Sequence, residues 1–385
     1  MTPSPEQELI HLKEENLLRT VRVWQTGDLP HLLTSEGKPL LNFSSNDYLG
    51  LSQHPALKNA AQEAIQKHGT GSTASRLVCG TFDFHRQLEQ RIARLKQSQD
   101  ARTFANGYST AMATIPSLLG KEDVIILDKL SHACLIDAAK FSGATIRAFP
   151  HNNIERLQSI LQTTRKKSAH SKILIVTESV FSMDGDICPL PEIIALKEQY
   201  GALLLLDEAH ALGVIGEHGL GLAEKLGLQE KVDLQMGTLG KAAGSAGGYL
   251  AADQNTIDLI TNKGRAFIYS TAPPPAQIAA SHAALDLITS TEGSRLRQRL
   301  QDNIHTLSPS STSSSSPIIP LILGTNEKAL QASEQLLSKG FLVPAIRFPT
   351  VPRNSARLRI TISAAHSKEQ IKFFKKNLAQ LQQEH

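Results

Sequence analysis

ALLLLDEAH, residues 202–210, decides how this chain folds. An unbroken apolar run, Ala202 through Leu206, stops at Asp207 and a polar cluster. A strand with one wet face alternates polar and apolar residues, whereas a run without alternation belongs to a strand covered on both faces, as in parallel sheets. Working outward, VIILD (124–128) and KILIVTES (172–179) have the same form, and amphipathic stretches such as LPEIIALKEQYG (190–201) separate them. Strands alternating with helices predict an α/β fold, a mainly parallel sheet flanked by helices. Polar residues follow each strand: Asp128 to His132, Glu178 to Asp186, Asp207 to His210. Ligands of open α/β sheets bind at the carboxyl ends of the strands, so a site is expected there.

The flanks predict smaller units. PEQELIHLKEENLLRTVRVW (5–24) places Leu9, Leu12, Leu17 and Leu18 near helical spacing and opens an N-terminal helix and arm over 1–45. A large domain is expected over 46–290 and a smaller C-terminal α/β domain over 291–385. The latter has a serine-rich loop at 308–317, a strand in PIIPLIL, a helix near 326–340, extended segments at 341–347 and 357–363, and a last helix at 367–383.

Composition sets exclusions. At 385 residues with 41% hydrophobic and 20% charged residues, the chain can bury a sizeable core and is not a disordered one. No apolar run approaches the roughly 20 residues of a membrane helix, and the charged N-terminus does not read as a secretory signal, so a cytoplasmic protein is expected. Cys79, Cys134 and Cys188 are widely spaced, which predicts buried free thiols and neither a metal site nor disulfides. A net charge of +4 without Lys/Arg blocks argues against nucleic acid as a partner.

The chemistry starts at GTLGKAAGSAGG (237–248). Taken singly, Lys241 is a solvated charge in a tight loop and Asp207 a helix cap or ion-pair partner. Together they meet two needs of pyridoxal phosphate (PLP) chemistry, an amine for a Schiff base and a carboxylate that keeps the pyridine nitrogen protonated. FANGYSTAMATIPSL (104–118) adds Gly107, Tyr108, Ser109 and Thr110 at a helix start. That is a phosphate-binding arrangement, although the same residues are common helix caps.

With NFSSNDYLGLSQHP (42–55), LSHACLIDA (130–138), TESVFSMDGDICPL (177–190), DEAHALGVIGEHG (207–219) and IRFPTVPRNSARLRIT (346–361), the chain resembles the α-oxoamine synthases. These are fold-type I PLP enzymes that condense an amino acid with an acyl thioester and release CO2. The resemblance runs from about residue 40 to about 366. It implies that Lys241 carries the cofactor and moves the Cα proton, that Asp207 pairs with the pyridine nitrogen, that His210 bonds the ring hydroxyl and that His132 stacks on the ring. Gly107, Tyr108, Ser182 and Thr238 match cofactor contacts. Thr271 in IYSTAPPP matches a contact made from a neighbouring subunit, implying a homodimer with shared active sites. Asn46, Thr350 and Arg359 match substrate contacts, with Arg357 the other choice for the carboxylate, and Arg19 lies where relatives meet the acyl thioester. The motifs imply L-alanine and a pimeloyl thioester as substrates, carried by coenzyme A or an acyl carrier protein. Sister reactions, glycine with acetyl- or succinyl-CoA and serine with a long acyl chain, would use the same machinery. One departure is the order Tyr108, Ser109, Thr110, Ala111, where the family has small residues and an asparagine.

Two readings from other classes are weaker. DEAH also occurs in helicase-type ATPases, but the GxxxxGK[ST] loop they require is missing. A binding-only relative would not need Lys241, Asp207, His132 and His210 together.

Overall fold

The computed structural model describes residues 4–168, 170–308 and 316–384. Most of the serine-rich stretch, 309–315, lies outside the described residues. In chain order the strands are β1 (Gln25–Thr26), β2 (His31–Leu33), β3 (Pro39–Asn42), β4 (Asp100–Phe104), β5 (Val124–Asp128), β6 (Thr145–Phe149), β7 (Ile173–Glu178), β8 (Leu203–Asp207), β9 (Leu234–Thr238), β10 (Gly248–Ala252), β11 (Ile318–Gly324), β12 (Phe341–Leu342), β13 (Ala345–Ile346) and β14 (Ala356–Thr361).

Seven of them form the central sheet in the order β4-β10-β9-β8-β7-β5-β6. The run from β6 to β9 is parallel, and β10 is antiparallel to both its neighbours. Leu204, Leu205 and Leu206 are each fully buried, which is why the run shows no alternation; each such leucine contributes about 1.5–3 kcal/mol of burial free energy. Helices Ala133–Ser142, Ile154–Lys167 and Leu190–Tyr200 are the crossovers that parallel pairing requires.

The N-terminal helix is shorter than its leucines suggest. It spans Pro5–Glu14, opened by a capping box between Ser4 and Gln7. Asn16 takes a left-handed conformation, φ 53°, just past its end. Leu9, Ile10 and Leu12 are exposed. The chain then forms β1 to β3, and β3 pairs in parallel with β12, Leu41 opposite Phe341. The arm therefore shares a four-stranded sheet with a strand some 300 residues away. Phe43 seals this junction by stacking on Phe374 of the last helix, centroids 3.9 Å apart.

The remaining strands form an antiparallel sheet, β11-β14-β13. All six residues of β14 are buried, including Arg357 and Arg359. Cys134 and Cys188 are buried free thiols, but Cys79 is exposed, on the single π-helical turn Arg76–Gly80 whose Leu77 and Val78 also face outward. No helix among the described residues is long and apolar enough to cross a membrane.

Candidate active site

The carboxyl ends of β7, β8 and β9 form the floor of a cavity. Glu178 and Asp207 close β7 and β8 directly opposite each other in the parallel register, and both are buried. The Ala209 amide donates to Asp207 Oδ1 at 2.9 Å, orienting the carboxylate at the strand end. The turn after β8 delivers His210. From β9 the chain enters a loop of small residues closed by Leu239 N–H to Gly247 O, 2.9 Å, and Gly244 N–H to Lys241 O, 2.8 Å. A side chain at Gly244 would meet Ser52 N at 2.4 Å, and its φ is +64°, so glycine is what lets this loop press against the 42–55 segment. Lys241 is thereby turned back over β8, its Nζ 2.7 Å from His210 Nε2.

His132 caps helix Ala133–Ser142. Its Nδ1 accepts the Cys134 N–H at 3.2 Å, which leaves the proton of the neutral ring on Nε2. Its own amide donates to Glu178 Oε1. Lys241, Asp207, Glu178, His132, His210 and Gly107 line a cavity of about 170 Å³. Gly107 opens helix Gly107–Leu118, and Asn106 caps the Ser109 amide at 2.8 Å. The Gly107 and Tyr108 amides ahead of that capped one have no intrahelical acceptor, as an anion site requires. Tyr108 and Thr238 line the same cavity; Tyr108 Oη donates to Asp137 at 2.9 Å and Thr238 Oγ1 to Gly247 O at 2.8 Å.

Burial and charge set the protonation states. Burial pulls Lys241 below the usual amine value, against the pull of Asp207 and Glu178. It raises Asp207, with Lys241 opposing. It also lifts Glu178 to about 8, helped by the neighbouring Asp207 charge. His210 lies well below the ordinary imidazole value through burial and through the charges of Lys241 and Arg359. Burial and Lys241 likewise lower His132.

A second region comes from far along the chain. Tyr48, fully buried, sets its hydroxyl 2.6 Å from His210 Nδ1 and 3.1 Å from Asn46 Oδ1. Arg359 Nη1 donates to the same Asn46 oxygen at 3.1 Å, and Arg359 Nε donates to Ser182 O at 2.6 Å. A hydrogen-bonded chain thus runs Lys241, His210, Tyr48, Asn46, Arg359. Arg357 turns instead to Asp184, 2.6 Å, and Met183 O, 3.2 Å. Of the two arginines, Arg359 is the one aimed at Asn46.

Other candidates sit outside the cavity. Thr350 is exposed and bonds Arg347 O through its amide at 3.0 Å. Arg19 is exposed near Arg347, whose Nη2 donates to Leu18 O at 3.3 Å. Thr271 is exposed and bridges Ser75. Two cavity-side groups carried no role in the sequence reading, Glu178 and the Tyr48 hydroxyl. Glu178 had a visible signal, since TES ends its strand as LLD ends β8.

The donor set fits PLP: a buried amine inclined to neutrality, a carboxylate beside it, two imidazoles and a helix N-terminus converge on one cavity. The description "Aminotransferase class I and II" matches residues 38–377. The chain is 44% identical over 378 residues to an 8-amino-7-oxononanoate synthase of Geobacter sulfurreducens, covering 96% of each chain. Among solved structures, the serine palmitoyltransferase of S. paucimobilis, with bound PLP and myriocin, superposes with a TM-score of 0.90 at 28% identity, covering 97% of this chain and 95% of that one. The 8-amino-7-oxononanoate synthase of Francisella tularensis gives 0.75 at 27% identity, covering 88% and 98%. Fold and site together define a fold-type I PLP-dependent transferase. Within that class the chain belongs to the 8-amino-7-oxononanoate synthase family, PLP-dependent acyltransferases whose condensation serves biotin biosynthesis.

Proposed function

We propose that the chain joins L-alanine to a pimeloyl thioester, giving 8-amino-7-oxononanoate, CO2 and the free thiol. The observation that carries this reading is the Lys241 amine at 2.7 Å from His210, connected through Tyr48 and Asn46 to Arg359. An amine that handles protons and a guanidinium that holds a carboxylate then face one amino acid.

Bound PLP supplies an aldehyde for the amines and a protonated ring that takes up the electron pair left at Cα. Lys241 holds the cofactor, and its amine, inclined to neutrality by burial, takes the Cα proton and later returns one to the product carbon. Asp207 would keep the pyridine nitrogen protonated, and His210 would meet the ring hydroxyl. His132 would pack on the ring face, and its Nε2–H would be available to orient the thioester oxygen. Gly107, Tyr108, Ser182 and Thr238 contact the cofactor from the rim. Arg359 and Asn46 grip the alanine carboxylate, Thr350 contacts substrate, and Arg19 meets the acyl thioester.

Thr271, exposed on its own chain, reaches the partner's cofactor phosphate in a homodimer with shared sites. The chain works in the cytoplasm, with an arm over 1–45, a large domain over 46–290 and a small domain over 291–385. Coenzyme A and an acyl carrier protein both suit the proposed chemistry. A sister activity on glycine or serine would use the same groups, and the match to a serine palmitoyltransferase fold makes it the reading to test against. Assaying L-alanine, glycine and L-serine against pimeloyl, acetyl, succinyl and palmitoyl thioesters, with products identified by mass, decides it. 8-Amino-7-oxononanoate as the main product is expected; preferential turnover of glycine or serine refutes the substrate assignment.

A further inference from the structure

Residues 180–187 fold into a small hairpin after β7, closed by Phe181 N–H to Asp186 O at 3.0 Å and a bridge between Val180 and Ile187. This hairpin is where β14 leans on the central sheet. Ser182 O takes Arg359 Nε at 2.6 Å, and Asp184 takes Arg357 Nη1 at 2.6 Å. The hairpin therefore holds the Nε side of Arg359, while Asn46 and Thr361 take its Nη1.

The hairpin is itself held by a histidine that does not line the cavity. His151 follows β6, and its two ring nitrogens face two carboxylates: Nδ1 to Asp128 Oδ1 at 3.1 Å and Nε2 to Asp186 Oδ2 at 2.5 Å. Asp128 is the buried last residue of β5, so the ring ties a strand end to the hairpin. Asn152 reinforces the tie from Nδ2 to Asp186 Oδ2 at 3.2 Å and to Ile187 O at 3.3 Å, while its amide donates to Asp128 Oδ2 at 2.8 Å. The His151 ring also stands edge-on to Phe181, centroids 4.4 Å apart.

We propose that His151 is a positioning residue for the amino-acid carboxylate: clamped between Asp128 and Asp186, it fixes the 180–187 hairpin and through Ser182 the guanidinium of Arg359. The proposal rests on the reading of Arg359 as the carboxylate holder. Two carboxylates at the two ring nitrogens require two N–H donors, which only the imidazolium has. Asp128 and Asp186 are the charged groups facing it, Asn152 is neutral, and Asp184 is paired with Arg357. Those two carboxylates overcome burial and lift His151 from 6.5 to about 10. A raised value means that the folded ring keeps both N–H donors well past neutral pH and loses one as pH approaches 10, while the stability it lends the fold is complete below pH 6.5 and is lost as pH rises toward 10.

The test titrates L-alanine into the holoenzyme, following cofactor absorbance, between about pH 6.5 and 9.5. At neutral pH His151→Gln is expected to weaken alanine binding about tenfold while kcat at saturating alanine stays within about twofold and the cofactor spectrum is unchanged. Asp186→Asn removes one of the two supporting charges and is expected to lose alanine affinity at lower pH than wild type. Unchanged alanine affinity in His151→Gln, or an Asp186→Asn pH profile that overlays wild type, overturns the proposal. Arg359→Lys separates the two failures. If it weakens alanine binding and the hairpin variants do not, only the role of His151 falls; if it too binds alanine normally, the carboxylate reading falls with it.

Discussion

The two regions of the site are built differently. The floor, Glu178, Asp207, His210 and Lys241, hangs from the ends of three neighbouring parallel strands and the turns that leave them. Its groups are positioned by backbone and carry displaced protonation equilibria. The carboxylate wall is an assembly: Asn46 and Tyr48 from the N-terminal segment, the 180–187 hairpin, and Arg359 from β14, joined by side chains. A floor made of strand ends suits proton transfer, which tolerates little displacement, while a wall made of side chains suits recognition. Damage to the floor should therefore lower turnover at saturation, and damage to the wall should raise the substrate concentration needed.

The sharpest break is Lys241→Ala, for which loss of visible cofactor absorbance and a fall in turnover of about a thousandfold or more are expected. Next, Asp207→Asn should still bind the cofactor but exchange the alanine α-proton about a hundredfold more slowly; a normal exchange rate would remove Asp207 from its role. On the wall, Arg359→Lys should raise the alanine KM on the order of tenfold to a hundredfold, because lysine loses the planar fork. Arg357→Lys, at a guanidinium already paired with Asp184, should raise it less. At the seam between the regions, Gly185 has φ +73°, and a methyl there would lie 2.2 Å from Ile318 O. Gly185→Ala should cost about 2 kcal/mol or more in a denaturant melt.

The smallest effect is a pH slope. The folded value of Glu178 is raised from 4.5 to about 8, so its favourable contribution is complete below pH 4.5 and is lost as pH climbs through 8. Thermal melts of cofactor-free protein should decline over that window, and Glu178→Gln should flatten the decline.

The same contrast explains what could be read from the sequence. Strands β5, β7 and β8 were legible because sheet burial on both faces leaves continuous apolar runs, and Glu178, Asp207 and His210 end or follow those runs, whereas Lys241 was read from its own loop of small residues after β9. DARTF at β4 and GYLAA at β10 gave no such signal. In β4 the polar residues are buried with partners, Thr103 on Glu89 at 3.0 Å and Asp100 on Arg86 at 3.1 Å, so polarity hid a core strand. The wall was legible only through family resemblance, since the pairing of β3 with β12 and the meeting of Asn46 with Arg359 are long-range events that no local pattern encodes. The role of the Tyr48 hydroxyl is hidden for the same reason, because its partner His210 lies 162 residues away.

Hydrogen exchange at the α-carbon of L-alanine in deuterated water, measured against alanine concentration without any acyl thioester, tests this division of labour most directly. Lys241→Ala should show no exchange at any concentration, and Arg359→Lys should shift half-saturation upward while recovering most of the wild-type plateau. Exchange retained in Lys241→Ala, or a depressed plateau with unchanged half-saturation in Arg359→Lys, would contradict it.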